Sequence, residues 1–281
     1  MGRDGGDAVS DDATQATGVL VVGHGTADPV GAAETADVAA AVAGLLPDMP
    51  VELGFLEVIG PTIADAVTRL AARGCRDVIA APLLLFAAGH AKRDVPEAVA
   101  AAAARSGIRV RQTDPFGEMA EIVDLARHRR RQAVAGLATV SPAETVLVMV
   151  GRGSSDPAAV AQLQSFTESM LADDPEGRPR RVQLGFVAAA RPRLGEAIAA
   201  ACDPNDPHVR RIIVQPHLLF RGHVEEQVMA EVRRGREMRP DVEWIQSARL
   251  GADPLVARAV VRRVAELAAE WMGAESLSRQ G

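Results

Sequence analysis

The sequence predicts an α/β fold of two similar domains, each a doubly wound, four-stranded parallel sheet. Three observations carry that expectation. Strand-like and helix-like segments alternate along the chain, the chain repeats itself once, and its 281 residues suffice for two domains of roughly 100–150 residues. The repeat shows in three blocks. VLVVGHGTADP (19–29) matches VLVMVGRGSSDP (146–157), VELGFLEVIGPTIADAV (51–67) matches VQLGFVAAARPRLGEAI (182–198), and APLLLFAAGH (81–90) matches QPHLLFRGH (215–223). Gly23 thus answers to Gly151, Gly54 to Gly185 and Pro82 to Pro216. The separation grows along the chain, as small loop insertions would make it. A period this long marks a duplicated domain and not a solenoid.

In the first half, GVLVV, VELGF, DVIAAPLLL and IRVRQ are short apolar or β-branched runs bounded by Gly, Pro and Asp, so they read as strands. Ala-rich stretches at 31–46, 61–73, 95–106 and 118–136 read as the helices between and after them. The second half repeats the scheme, with strands near 146–150, 181–187, 210–219 and 242–247 and helices near 157–172, 192–201, 224–237 and 254–272. Alternating β and α elements imply parallel sheets with helices on both faces. The expected domains are 17–137 and 145–273, joined by an Ala-Thr-Val-Ser-Pro-Ala linker near 137–144. Residues 1–16, rich in Gly, Asp, Ser and Thr and without an apolar core, read as a disordered tail and not as a secretory signal.

Composition narrows the function classes. Aromatics are 3% with no Tyr, so the core must be aliphatic. A net charge of −6 gives no support for a nucleic-acid partner. The two cysteines, Cys75 and Cys202, are too few for a disulfide framework and form no CxxC pair, so each reads as a buried thiol. No apolar run approaches the ~20 residues of a membrane span. These absences predict a cytoplasmic protein with no membrane partner.

Ligands in open α/β sheets bind beyond the carboxyl ends of the strands. His24 follows the first expected strand, Glu57 the second and His90 the third, each about one βα unit from the next. Taken singly, each has an ordinary explanation: a turn shaped by glycine, a solvated histidine, a carboxylate near a helix start. Together they place two imidazoles and a carboxylate on one rim, a donor set suited to a late first-row divalent metal or to acid–base work. The second copy has Arg152 for His24 and Ala188 for Glu57, and keeps only His223 for His90. A pair needed by the fold would tend to recur in both copies. One live site and one degenerate copy would look like this.

The strings LVVGHGTADP, GFLEVIGPTIADAV and PLLLFAAGHAKRDVP resemble the sirohydrochlorin chelatases of cobalamin and siroheme synthesis over nearly all of residues 17–272. The resemblance is strongest to the long, internally duplicated form. It implies insertion of a divalent metal, Co2+ for cobalamin with Fe2+ for siroheme as the alternative, into sirohydrochlorin. It implies no organic cofactor, the metal being a substrate. Carried over by motif, His24 and His90 hold the metal, and Glu57 is the cleft carboxylate and candidate base. The macrocycle's carboxylates need cations, and Lys92, Arg93, Arg152, Arg191, Arg193 and Arg221 lie on the expected rims. His217 and His223 depart from the family pattern and read either as a second metal-binding spot or as ordinary polar residues. Two competitors remain. One is a metal or tetrapyrrole carrier without turnover. The other is a phosphoryl-transfer enzyme, since His24-Gly25-Thr26 is similar to the loop of phosphohistidine enzymes. Against the latter, Gly23 stands where an arginine would be needed, and no G-x-x-x-x-G-K-[ST] loop exists.

Overall fold

A computed structural model describes residues 16–86, 90–172, 174, 177–204 and 206–278; the side chains of residues 90–92 and 272–278 lie outside the description. The first half contains β1 (Ala16–Gly23), α1 (Pro29–Leu45), β2 (Val51–Phe55), α2 (Ile63–Ala72), β3 (Cys75–Pro82), α3 (His90–Ser106), β4 (Arg109–Gln112) and α4 (Ala120–Val134). The second contains β5 (Thr145–Gly151), α5 (Ala158–Ala172), β6 (Arg181–Phe186), α6 (Leu194–Ala201), β7 (Arg211–Pro216), α7 (His223–Met238), β8 (Glu243–Gln246) and α8 (Pro254–Ser278). A 3-10 turn, Pro142–Glu144, leads into β5.

The strands form two four-stranded parallel sheets, β2-β1-β3-β4 and β6-β5-β7-β8. The expected α/β fold with a duplicated doubly wound sheet is what the chain adopts. Val19, Leu20, Val21 and Val22 in β1 and Val146 through Val150 in β5 are all buried, as central strands covered on both faces require. Strand order reverses between β1 and β3 in the first sheet and between β5 and β7 in the second, so each half opens a crevice at those carboxyl ends.

Local chemistry explains the helix starts. Asp28 accepts from Val30 N at 2.9 Å and Gly31 N at 3.1 Å, with Pro29 at the first helical position of α1. Thr62 and Asp65 form a reciprocal capping box at α2.

Four boundaries differ from expectation. Ala16, counted with the tail, is the first residue of β1; the rest of that tail lies outside the described residues. The third and seventh strands end at Pro82 and Pro216 and do not run on through the leucines. After Pro82 the chain turns, with Leu84 N donating to Pro82 O at 2.9 Å. Helix α3 begins at His90, five residues before the expected start near 95. Pro96 suits a first helical turn but here lies inside the helix.

The halves are interleaved through their last helices. Helix α4 packs beside α5 and β8, over the second sheet, while α8 packs beside α1 and β3, over the first. Gln215 of β7 donates to Ala126 O of α4 at 2.8 Å. Arg127 of α4 donates to Ser169 O and Met170 O, at the carbonyl end of α5, both at 2.8 Å. Trp271 of α8 lies under the guanidinium of Arg111 of β4, 4.8 Å from the ring centre. One hydrophobic cluster accordingly runs through both sheets, from Val19, Val21 and Ile79 to Leu147, Met149 and Ile213, by way of Leu125 and Val260.

Candidate active site

The backbone brings the His24 and Glu57 loops together. Beyond the ends of β1 and β2 the ladder continues, with Leu56 N donating to Gly23 O at 2.9 Å and Glu57 N to His24 O at 3.1 Å. Gly25 makes this approach possible. Its φ is +100°, and a Cβ there would lie 1.9 Å from the carbonyl oxygen of Glu57. Val58, with φ of 71°, then turns the chain back.

The side chains meet as a result. His24 Nε2 lies 3.0 Å from Glu57 Oε1, with the imidazole 37% and the carboxylate 58% exposed. Both groups are therefore reachable from solvent while held in hydrogen-bond contact. A carboxylate on one ring nitrogen fixes the orientation of the imidazole and leaves its other nitrogen to act. The carboxylate also stands ready to take a proton released beside it.

The second half repeats this backbone without these side chains. Val187 N donates to Gly151 O at 3.1 Å and Ala188 N to Arg152 O at 2.8 Å. Gly153 has φ of +89°, and a Cβ there would again lie 1.9 Å from a carbonyl oxygen, that of Ala188. Ala189 matches Val58 with φ of 51°. The frame is kept, and imidazole and carboxylate have become guanidinium and methyl. The frame alone does not call for the His24–Glu57 pair.

His90 is the first residue of α3, the helix that follows β3, and β3 is the neighbour of β1 across the switch point. Its side chain, that of Lys92 and the whole of residues 87–89 lie outside the described residues. Among the described residues, no three His, Cys, Asp or Glu side chains converge on a metal-sized point. His24 and Glu57 place two groups able to act as donors 3.0 Å apart.

The expected cations divide. Arg93 and Arg152 are exposed. Arg191 pairs with Glu196 of α6, and the backbone N–H of Arg193 donates to the same carboxylate at 2.7 Å, so both serve the start of that helix. Arg221 crosses to the first half, with Nε 3.3 Å from Asp28 Oδ2.

The two unexplained histidines also separate. His223 is exposed at the start of α7, with Nε2 2.7 Å from Gln227 and Nδ1 3.6 Å from Glu226. His217 is buried between rings, its centroid 4.0 Å from that of Phe166 and 5.1 Å from that of Phe86. Burial alone pushes its pKa down to about 3, so the ring is neutral at any ordinary pH. Among the described residues, its Nε2 has no hydrogen-bond partner.

The CbiX family model matches residues 18–133 and again 146–267, one copy on each half. The chain belongs to the CbiX family. Among relatives of this CbiX chain, the sirohydrochlorin ferrochelatase of Bacillus subtilis (strain 168) is 29% identical over 256 residues, covering 91% of this chain and 93% of that one. The sirohydrochlorin cobaltochelatase of Priestia megaterium is 24% identical over 250 residues, covering 88% and 79%. The solved structure of SirB from Bacillus subtilis with Fe3+ superposes with a TM-score of 0.79 at 28% identity, covering 92% of this chain and 98% of that one. No described helix of this CbiX chain is long and apolar enough to cross a membrane.

Sequence reasoning missed one group of residues beside the site. Glu34, Glu225 and Arg249 form a largely buried ion cluster between the two halves, linked to Asp28 through Arg221. Nothing in their local sequence marks them.

Proposed function

We propose that this chain inserts a divalent metal, Co2+, into sirohydrochlorin. The metal is held by His24 and His90, and Glu57 accepts a proton from the macrocycle. The observation that carries the reading is the His24–Glu57 contact of 3.0 Å, on a backbone frame whose second copy has neither side chain. Family membership and the chelatase relatives supply the substrate class.

The chemistry is an exchange. A hydrated M2+ loses water, two ring N–H protons leave to Glu57 and to solvent, and the four ring nitrogens, two of them now anionic, replace water at the metal. Neutral imidazole holds the ion while water departs. The Glu57 carboxylate, 58% exposed, can take one proton and pass it to water, and the other leaves to water directly. The carboxylate rim of the macrocycle meets guanidinium, with Arg152 facing it from the position that His24 occupies in the other copy.

Cobalt is favoured by the donor set, because nitrogen and oxygen sites hold Co2+ more tightly than Fe2+ at equal concentration. Iron is the second reading, and the higher identity to the ferrochelatase, 29% against 24%, favours it. Initial rates for Co2+ and Fe2+ with one pool of sirohydrochlorin separate the two. The expected result is faster cobalt insertion by wild type, with most of the rate lost in folded His24→Ala and His90→Ala. A rate no greater than the uncatalysed reaction would make the chain a carrier. Wild-type turnover in either variant would remove that histidine from the metal site.

A further inference from the structure

The two halves touch through equivalent loops, and the two contacts are built differently. The loop after β3 meets α5, where Phe86 and Phe166 lie edge to face at 6.3 Å. The loop after β7 meets α1, where Arg221 O comes so close to Gly31 that a Cβ there would lie at 2.2 Å. Among the described residues, the ion network lies at the second contact. Arg221 N donates to Glu34 Oε2 at 2.9 Å. Arg249, just past β8, pairs with Glu34 through Nη2 and reaches both oxygens of Glu225 through Nη1, at 2.9 and 2.8 Å. The side chains of Arg249, Glu34 and Glu225 are 20%, 16% and 17% exposed, so the pairs are well shielded from water.

This network leads to the His24 loop. Arg221 Nε pairs with Asp28 at 3.3 Å. Asp28 caps α1, and its own N–H donates to Thr26 Oγ1 at 3.1 Å. Thr26 stands two residues past His24.

The duplication shows that the fold does not need the network. Glu34 corresponds to Gln162, because Gly23 abuts Thr35 as Gly151 abuts Leu163. Arg249 corresponds to Pro115, because Gly251 N donates to Leu219 O as Gly117 N donates to Leu85 O. Glu225 corresponds to Lys92 through the His90–His223 match. Glutamine, proline and lysine cannot rebuild a carboxylate–guanidinium–carboxylate bridge. The loop bearing Arg152 is therefore assembled without one.

We infer that Arg249 is a positioning residue: by bridging Glu34 and Glu225 across the halves, it fixes the start of α1 and so holds His24 in register for the metal. The inference rests on the proposed metal role of His24. Outer partners of metal ligands change affinity by about ten-fold to a hundred-fold when removed.

The test uses the full chain and Co2+ alone, titrated calorimetrically and by its visible absorption. The proteins are wild type, Arg249→Met, Arg249→Lys, His24→Ala and the Arg249→Met/His24→Ala double variant. Glu118→Gln is the control, since Glu118 accepts from Ser165 and Ser169 across the same pair of halves but far from His24 in the chain. Arg249→Met should weaken Co2+ binding by about ten-fold or more and alter the absorption band, with partial rescue in Arg249→Lys. Glu118→Gln should leave both unchanged. In the double variant the Arg249 effect should vanish, because its route through His24 is gone. Additive losses, equal losses in Glu118→Gln, or wild-type Co2+ binding in Arg249→Met would each overturn the inference. Failure of the chelatase reading would show separately, as absence of insertion by wild type, and would leave the Co2+ titrations interpretable.

Discussion

His217 makes stability depend on acidity, and His217→Leu should abolish that dependence. The first half already holds leucine at the equivalent position, Leu83, buried after the same proline. In the folded chain the His217 pKa lies at about 3, lowered by burial from an ordinary value of 6.5. Below pH 6.5 the unfolded chain takes up a proton that the folded chain refuses until about pH 3. Stability is therefore fully present above pH 6.5 and falls as pH drops through that window. One pH unit inside the window costs about 1.4 kcal/mol, so moving from pH 7 to pH 5 should cost about 2 kcal/mol through this residue. Urea unfolding followed by circular dichroism at pH 5, 6, 7 and 8 reads the effect as a shift in midpoint at constant slope. Carboxylates elsewhere titrate in both proteins and cancel in the comparison. The leucine variant should lose about 2 kcal/mol less than wild type between pH 7 and pH 5. Parallel pH dependences in the two proteins would refute the reasoning, and would mean that the buried ring is already charged or is solvated on opening.

Three further outcomes are expected. Arg152→Ala should raise KM for sirohydrochlorin by about ten-fold to a hundred-fold with kcat little changed, the loss of one charge-assisted contact worth roughly 1.5–3 kcal/mol; steady-state kinetics would count against it if kcat fell at constant KM. His223→Ala should cost much less insertion activity than His90→Ala, since its ring bonds to Gln227 of its own helix; equal losses would give both histidines a part in the site. Asp174→Ala should destabilise the fold by about 3–5 kcal/mol, because Arg130 Nη2 meets Asp174 at 2.9 Å with side chains 3% and 0% exposed; thermal unfolding near wild type would show that the pair is dispensable.

Much of this was legible in the chain. The strands announced themselves because each is a short β-branched run between breakers, and the duplication because its glycines hold positions that only glycine fits, Gly25 and Gly153 above all. The His24–Glu57 meeting followed from strand ends in a parallel sheet. The exchange of α4 and α8 did not follow, because an amphipathic helix encodes an apolar face and not the identity of the sheet that covers it. The start of α3 was hidden by Lys92, Arg93 and Asp94, which interrupt any apolar period. Arg249 was illegible for a plainer reason: it bonds to Glu34, 215 residues away, and no local pattern reports such a pair.

The interleaving explains why a second half without the His24–Glu57 pair persists. Helix α8 covers the first sheet and α4 the second, so neither half has a complete core by itself. The second copy is bound to keep its strands and its turn glycines, while its loop side chains are free to change. The change at the matched positions has a direction. Imidazole and carboxylate in the first half carry a net charge of about −1 when His24 is neutral, whereas Arg152 and Ala188 carry about +1. A cleft with two His–Glu rims would set a carboxylate against both edges of a polyanionic macrocycle. Replacing one rim with guanidinium and methyl removes a repulsion and adds an attraction while leaving the metal side intact. On the proposed reading the divergence of the copies is a division of labour, with one rim for the cation and one for the anion. Reversing it makes the point testable within the same frame: Arg152→His with Ala188→Glu should restore the first-half pair geometry in the second half, add Co2+ binding, and weaken binding of sirohydrochlorin.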